Sequence, residues 1–301
     1  MSSGSVRRWH DLIARQFPDL RPTTVVELGE GCDSVAVEVD GDLVFRFPKT
    51  PDVEEQLFIE ARVLPALAQD SPLALPQFQF FGTPAPEFPR HFVGYPKLPG
   101  QPAIRVAAVA EGPLPLAPAI GRFLSWLHAY PVADAEALGV PRQSIDTLIE
   151  EVRADALDDL DVVAQIAPEA PLEDVRRILQ HPPPPARGKV VLVHNDFAAE
   201  HVLVDAAGGI TGVIDWSDIA ISDAAVDFAG MFHWGGPEFA DAVLASYRGH
   251  VDEGFRERAR FMALCRGAGD IQFGQEFARP EYIRFGVRAL QLCQNPRDLE
   301  P

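Results

Sequence analysis

Apolar positions recur with a helical period near the N-terminus and then change to the short runs typical of β-strands. The spacing of Trp9 and Ile13 predicts an amphipathic helix over residues 6–17. A second helix is predicted over residues 52–68, and short strands over residues 23–28, 35–39, 43–47, 78–81 and 91–94. The first 95 residues are therefore expected to form a small, mostly antiparallel sheet with flanking helices.

After residue 95 the pattern changes to long helical periods. Helices are predicted over residues 117–129, 143–164 and 171–181 and through most of 223–294, with strands at 190–193, 202–204 and 210–214. This change predicts an N-terminal lobe over residues 1–95 and a C-terminal lobe over residues 96–301. The expected class is α+β, with a small antiparallel β lobe followed by a large helical lobe.

Charge narrows the kinds of ligand to consider. The 301 residues include 44 Asp plus Glu and 26 Lys plus Arg, for a net charge of −18. A general nucleic-acid binder needs a basic surface, so no nucleic-acid partner is expected. The acidic excess serves either solubility or a pocket for a cationic small molecule, and composition does not choose between these.

Cysteine usage and the N-terminus bear on compartment. Cys32, Cys265 and Cys293 are widely spaced and form no CxxC pair, so neither a disulfide framework nor a zinc site is indicated. The N-terminus lacks the apolar core of a signal peptide, and the most apolar stretch, residues 103–120, is interrupted by charges and prolines. We expect a cytoplasmic protein with no membrane partner, acting as a monomer.

Two neighbouring segments carry the candidate chemistry. An apolar strand leads into His194, Asn195 and Asp196, and a later apolar run leads into Asp215. Rigid strands that end in polar residues are a common way to support a reactive site. If Asp196, Asp215 and His201 meet, they suit metal-assisted chemistry with a carboxylate base; the alternative is that they cap turns.

These residues resemble the paired motifs of the aminoglycoside phosphotransferases, which have a protein-kinase-like fold. The resemblance rests on His194-Asn195-Asp196 with His201, and on Ile214-Asp215-Trp216 with Asp223 and Asp227 downstream. It extends from about Gly29 to Gly286 and is greatest to the 2″-phosphotransferase branch, with macrolide phosphotransferases as near relatives. The expected fold is therefore a two-lobed, kinase-like one.

The resemblance implies a role for each motif residue. Asp196 corresponds to the catalytic base, and Asp215 and His201 to ligands of Mg²⁺ beside a phosphate donor, ATP or GTP. Most kinases carry Asn where this chain has His201, and Mg²⁺ prefers oxygen ligands. The alternative for His201 is a structural hydrogen bond within its loop.

The N-terminal lobe is expected to bind the nucleotide. Gly29, Gly31 and Ser34 lie where a kinase places its phosphate-covering loop, although Ser34 replaces a third glycine. Arg46 stands where the family usually has a phosphate-binding lysine. Macrolide kinases similarly have arginine at this point, and Glu60 corresponds to the carboxylate that pairs with this cation. Arginine can also fork to two oxygens but is not equivalent to lysine.

The lobe junction is expected to hold the purine. Its residues Tyr95, Lys97 and Leu98 flank Pro96, which has no N–H to donate. The choice between ATP and GTP therefore stays open.

The helical lobe is expected to receive a cationic antibiotic. An aminoglycoside carries several ammonium groups, so its pocket needs carboxylates and flat surfaces for sugar rings. The candidates are Asp218, Trp234, Glu238, Asp241, Asp270, Glu276 and Tyr282.

Three functions are therefore weighed. The first is an antibiotic kinase that phosphorylates an aminoglycoside hydroxyl. The second is a macrolide 2′-phosphotransferase, whose pocket would be largely apolar and lined by residues such as Phe232 and Phe277. The third is a catalytically silent nucleotide-binding module, suggested by the departures at Arg46 and His201.

Overall fold

The computed structural model describes residues 3–30 and 33–294. The chain divides into two compact units, one formed by residues 1–100 and 211–217 and the other by residues 101–210 and 218–301. The predicted lobe boundary at residue 95 lies near the end of the first unit's main segment. The return of residues 211–217 to the first unit was not predicted.

The first unit is built on a five-stranded antiparallel sheet with strand order β1-β2-β3-β5-β4. Apolar side chains from β2, β3 and β5 pack against helix α1, and Trp9 stacks on Phe47 with ring centroids 4.1 Å apart. The elements of this unit are α1 (Ser3–Gln16), β1 (Val25–Glu30), β2 (Ser34–Val39), β3 (Leu43–Pro48), α2 (Pro51–Leu67), β4 (Phe80–Gly82) and β5 (Phe92–Pro96).

The second unit is mainly helical, and α9 packs against α6, α8 and α10. Its helices are α3 (Ala107–Glu111), α4 (Ala117–Leu127), α5 (Val132–Ala137), α6 (Ile145–Ile166), α7 (Leu172–Leu179), α8 (Ala225–Leu244), α9 (Phe255–Glu276) and α10 (Pro280–Cys293), with 3-10 turns at Ala103–Arg105 and Leu114–Leu116. Its short strands are β6 (Gln101–Pro102), β7 (Val191–Val193), β8 (Val202–Val204) and β10 (Ala220–Ser222), while β9 (Ile210–Val213) begins here and ends in the first unit.

The predicted α+β class is confirmed, with the sheet in one unit and most helices in the other. Element boundaries differ from the sequence-based ones by a few residues, and the short helices α3 and α5 were missed because neither is long enough to display a helical period. None of the helices among the described residues combines the length and apolar character needed to span a membrane.

Candidate active site

The loop at residues 194–201 is fixed by the strands and helix around it. Strand β7, which leads into the loop, pairs antiparallel with β10. On the other side, α8 passes so close that a Cβ on Gly230 would lie 1.7 Å from the carbonyl oxygen of Phe197. Only glycine fits at this crossing, so the loop backbone rests directly on the helix.

Asp227, on α8, holds the first residues of this loop. Its Oδ1 accepts a hydrogen bond of 2.8 Å from the backbone N–H of Asn195, and its Oδ2 accepts one of 3.1 Å from that of His194. His128 Nε2 donates to the same Oδ2 at 2.9 Å. Asn195 has a φ of 72°, a left-handed conformation that asparagine tolerates better than most residues. The sequence analysis named Asp227 only as a downstream member of the motif, and the structure shows that it anchors the loop.

Asp227→Ala is expected to lower the free energy of unfolding by about 3–5 kcal/mol, because two buried amides and a buried imidazole lose their charged acceptor. Thermal unfolding of the full chain measures this as a fall in Tm. The control is Asp241→Ala on the same helix, whose ion pair with Arg256 is solvent-exposed and is expected to contribute about 0–1 kcal/mol. Equal losses for the two variants would contradict the anchoring role.

The carboxylate of Asp196 lies between the side chains of Arg266 and His201. Arg266 Nη1 donates to Asp196 Oδ1, and His201 Nδ1 lies 3.3 Å from Asp196 Oδ2. Burial alone would raise the pKa of Asp196, but the Arg266 guanidinium and then His201 outweigh it and hold that pKa well below the usual range. Asp196 is therefore ionised at neutral pH, as a proton acceptor must be.

His201 has a fixed ring orientation. Its Nδ1 lies 2.8 Å from the backbone carbonyl oxygen of Asp196, which can only accept, so Nδ1 carries a proton. In the neutral ring Nε2 then has the lone pair and is the nitrogen able to bind a metal ion. The predicted structural hydrogen bond is therefore present, and it leaves the ligand role chemically possible. Across residues 3–30 and 33–294, no group of three or more His, Cys, Asp or Glu side chains forms a ready metal cage.

A cavity of about 520 Å³ opens beside Asp196 in the second unit. Four carboxylates line it, those of Asp155, Asp159, Asp196 and Asp218, together with Arg266. Burial and then repulsion from Asp155 and Asp158 raise the pKa of Asp159. Carboxylates that repel one another in this way favour the binding of a cationic ligand. The apolar part of the wall comes from Leu148, Val152, Ala156, Phe197, Val226 and Met262.

Asp155 and Asp159 were missed by the sequence analysis. Their spacing of four residues on α6 puts both on one helix face, and that pattern was the signal available. Arg266 was missed as well, although a charge flanked by Cys265 and Gly267 within a helix suggests a buried contact.

The predicted acceptor residues separate into two groups. Of the seven predicted acceptor residues, Asp218 is the one found among the described residues that line the cavity. Trp234 is fully buried and packs edge-on against Phe239, so it offers no face to a sugar ring. The others do not line the cavity. Glu238 and Glu276 are exposed, and Asp241 pairs with Arg256. Asp270, 2.9 Å from His233, and Tyr282, which packs edge-on against Phe273, lie near enough to Arg266 to interact with its charge.

A second cluster lies within the first unit, around Arg46 on β3. Arg46 Nη1 donates to both carboxylate oxygens of Glu60 at 3.0 and 2.8 Å, and Glu60 is 1% exposed. Arg46 Nη2 lies 3.3 Å from Asp215 Oδ1, which also accepts from Ser217 at 2.9 Å. Burial lowers the pKa of Arg46, but Glu60 and then Asp215 outweigh it and keep the guanidinium charged. The predicted contact between Arg46 and Glu60 is present.

Asp215 is presented on a turn with a φ of 63°, and its side chain is 44% exposed. A carboxylate that is partly exposed and held by Arg46 suits a hard cation such as Mg²⁺, which takes one or two protein carboxylates and completes its shell with phosphate oxygens and water. By donor chemistry alone, the carboxylate oxygens of Asp215 suit such an ion better than the imidazole nitrogen of His201 does.

The other predicted nucleotide residues follow the sheet. Gly29 pairs with Ala36 just after an irregularity in β1, Ser34 starts β2, and Gly31 lies outside the described residues. Tyr95 is buried beside the Arg46 cluster. Lys97 pairs with Glu38, and its backbone N–H donates to Asp42 at 2.8 Å, so that N–H is already used within the unit. Leu98 is half-buried.

Comparison with known proteins gives consistent matches. The model of the phosphotransferase enzyme family matches residues 24–261. The solved GDP complex of wild-type aminoglycoside 2'-phosphotransferase-IIIa is 29% identical, covering 96% of this chain and 98% of that chain, with a TM-score of 0.74. The GDP and kanamycin complex of APH(2")-IIia is 27% identical, covering 95% and 98%, with a TM-score of 0.73. The apoenzyme of macrolide 2'-phosphotransferase MphH from Brachybacterium faecium is 25% identical, covering 94% and 97%, with a TM-score of 0.62.

Proposed function

The chain belongs to the phosphotransferase enzyme family, and we propose that it transfers the γ-phosphoryl group of ATP or GTP to a hydroxyl group of an aminoglycoside. The similar solved structures include a GDP and kanamycin complex, which supports both the donor and the acceptor. The proposed product is an O-phosphorylated antibiotic, so the expected consequence is resistance.

The acidic cavity carries this proposal. Asp155, Asp159 and Asp218 share the cavity with Asp196, so a polycation could be held by several carboxylates while one hydroxyl faces Asp196. Such an arrangement is what a ligand with several ammonium groups requires. The pKa of Asp159 is raised by burial and by repulsion from neighbouring carboxylates. A nearby cation would stabilise the ionised form of Asp159, whereas a neutral sugar would not.

The proposed chemistry gives a role to each motif residue. Asp196 orients the acceptor hydroxyl and takes its proton as the oxygen–phosphorus bond forms and the bond to the leaving nucleoside diphosphate breaks. Arg46, fixed by Glu60, is proposed to bind the donor's phosphate oxygens. Asp215 and His201 are the proposed ligands of Mg²⁺, which when bound neutralises developing charge on the phosphates.

Macrolide phosphorylation is the second candidate. The similarity to MphH and the apolar side of the cavity, formed by Leu148, Val152 and Met262, favour it. A macrolide has a single amine and needs one carboxylate, whereas this cavity presents three besides Asp196. The aminoglycoside is therefore the better fit.

Removing the α6 carboxylates tests the acceptor directly. Asp155→Asn/Asp159→Asn is expected to raise KM for a multiply charged aminoglycoside about 30-fold, because two ionic contacts of about 1 kcal/mol each are lost. The change in kcat is expected to be small, since Asp196 is untouched. Steady-state kinetics at low and high salt measure it, and the difference should shrink as salt screens the charges.

The matched control is Glu150→Gln/Glu151→Gln, which removes the same charge from exposed positions of the same helix, outside the residues that line the cavity. Its KM should stay within about threefold of the parent's, because exposed charges act weakly at a distance in salt. Equal changes in the two double variants would count against the cavity as the acceptor site. A larger KM change for macrolides than for aminoglycosides would support the second candidate.

A further inference from the structure

Arg266 lies on α9, 70 residues after Asp196, yet its side chain contacts two carboxylates of the loop at residues 194–201. Nη1 donates to Asp196 Oδ1 and Nη2 donates to Glu200 Oε1. The guanidinium also lines the cavity. It thus connects both ends of a five-residue turn to a helix on the cavity wall.

The residue type matters to this contact. A guanidinium presents its N–H groups in a rigid plane, so one side chain can hold two carboxylates in a fixed relation. A lysine ammonium carries the same charge on a flexible stem and imposes no such geometry. The side chain of Glu200 is only 10% exposed, and its carboxylate lowers its burial penalty by pairing with Arg266. Glu200 in turn fixes the orientation of the guanidinium.

The Asp196 backbone is already held, because Asp227 accepts the N–H groups of the two preceding residues. What stays adjustable is the rotation of the Asp196 side chain about its own bonds. The bond from Arg266 to Oδ1 removes that freedom. The second oxygen, Oδ2, is not the one that Arg266 holds, and it lies 3.3 Å from His201 Nδ1.

We propose that Arg266 is a positioning residue, which holds the Asp196 carboxylate by Oδ1 so that Oδ2 meets the acceptor hydroxyl. This inference rests on the proposed function. The guanidinium has two opposing effects. It aligns the Asp196 carboxylate, and its positive charge weakens Asp196 as a base. Phosphoryl transfer has a loose transition state in which the hydroxyl proton moves late, so alignment outweighs basicity. Loss of Arg266 therefore slows the reaction.

The variants Arg266→Lys and Arg266→Ala test the inference in the full-length protein with an aminoglycoside acceptor. Arg266→Ala is expected to lower kcat about 100-fold, the scale of a catalytic group displaced by about 1 Å, while the acceptor KM changes less than about threefold. Guanidinium chloride at millimolar concentration should restore at least about tenfold of the lost kcat, because it can enter the cavity and replace the missing group. Arg266→Lys should fold normally and retain an intermediate kcat.

The control is Arg256→Ala, also on α9, whose ion pair with Asp241 is exposed; its kcat should match the parent's with and without guanidinium. A kcat for Arg266→Ala near the parent's, or a loss that guanidinium does not restore while Arg266→Lys is fully active, overturns the inference. Hydrolysis of the bound nucleoside triphosphate, with water as acceptor, is measured in parallel. A parent that hydrolyses the nucleotide but phosphorylates no antibiotic contradicts the proposed function. The role of Arg266 is then decided by hydrolysis: a rate lost in Arg266→Ala and restored by guanidinium supports it, and an unchanged rate overturns it.

Discussion

Asp196→Asn is expected to lower kcat for acceptor phosphorylation by about 10²–10⁴-fold, the contribution of a positioned general base. The amide has nearly the shape of the carboxylate, and its oxygen can still accept from Arg266. It cannot take the proton of the acceptor hydroxyl. Steady-state turnover, with nucleotide affinity and Tm as companion measurements, separates a chemical defect from a folding defect.

Asp205→Asn is the matched control for this variant. Asp205 lies a few residues further along the chain, where its exposed carboxylate accepts from the backbone N–H groups of Ala207 and Gly209. Its substitution should leave kcat within about threefold of the parent's, since it removes the same charge outside the cavity. An Asp196→Asn variant as active as Asp205→Asn would exclude Asp196 as the base.

Glu60→Gln is expected to lower the free energy of unfolding by about 3–5 kcal/mol, because it leaves the buried Arg46 charge without its main partner. The two oxygens of Glu60 hold Arg46 at 2.8 and 3.0 Å, and both side chains are at most 9% exposed. Nucleotide affinity should fall in parallel, since an arginine that has lost its fixed geometry binds phosphate oxygens less well. Thermal unfolding and equilibrium binding of Mg·ATP or Mg·GTP measure the two effects.

Two further variants separate the effect of Glu60 on stability from its effect on nucleotide binding. Glu87→Gln breaks an exposed ion pair with Arg15 in the same unit and should change stability by about 0–1 kcal/mol. The double variant Arg46→Met/Glu60→Leu removes both buried charges and should recover most of the stability lost by Glu60→Gln. It should not recover nucleotide affinity. Recovery of both would mean that Arg46 supports the fold and does not bind phosphate.

Residues close together in sequence were the predictable part of the site. The motif around Asp196 and the one around Asp215 identified the family, which is confirmed by the match over residues 24–261. The family resemblance also implied the partnership of Arg46 and Glu60, and the two buried side chains are in contact. The roles of these residues in binding and catalysis stay predictions.

The residues of the site that the sequence analysis did not predict lie far from the Asp196 motif along the chain. Arg266 meets Asp196 only because α9 packs beside the loop at residues 194–201, and no local pattern encodes that packing. The acceptor candidates on α8 were chosen as carboxylates of the helical lobe, but the helix turns some of them outward to solvent, as with Glu238. Asp155 and Asp159 reach the cavity from α6, which precedes the motif.

Analysis of the reaction products tests whether the protein phosphorylates an aminoglycoside hydroxyl. The purified protein is incubated with Mg·ATP or Mg·GTP and a mixed panel of aminoglycosides and macrolides, and the phosphorylated position of each product is mapped by mass spectrometry and NMR. We expect acceptor-dependent turnover that yields an aminoglycoside carrying one phosphate on a hydroxyl oxygen. Products formed from macrolides alone, or nucleotide binding without transfer to any acceptor, would contradict it.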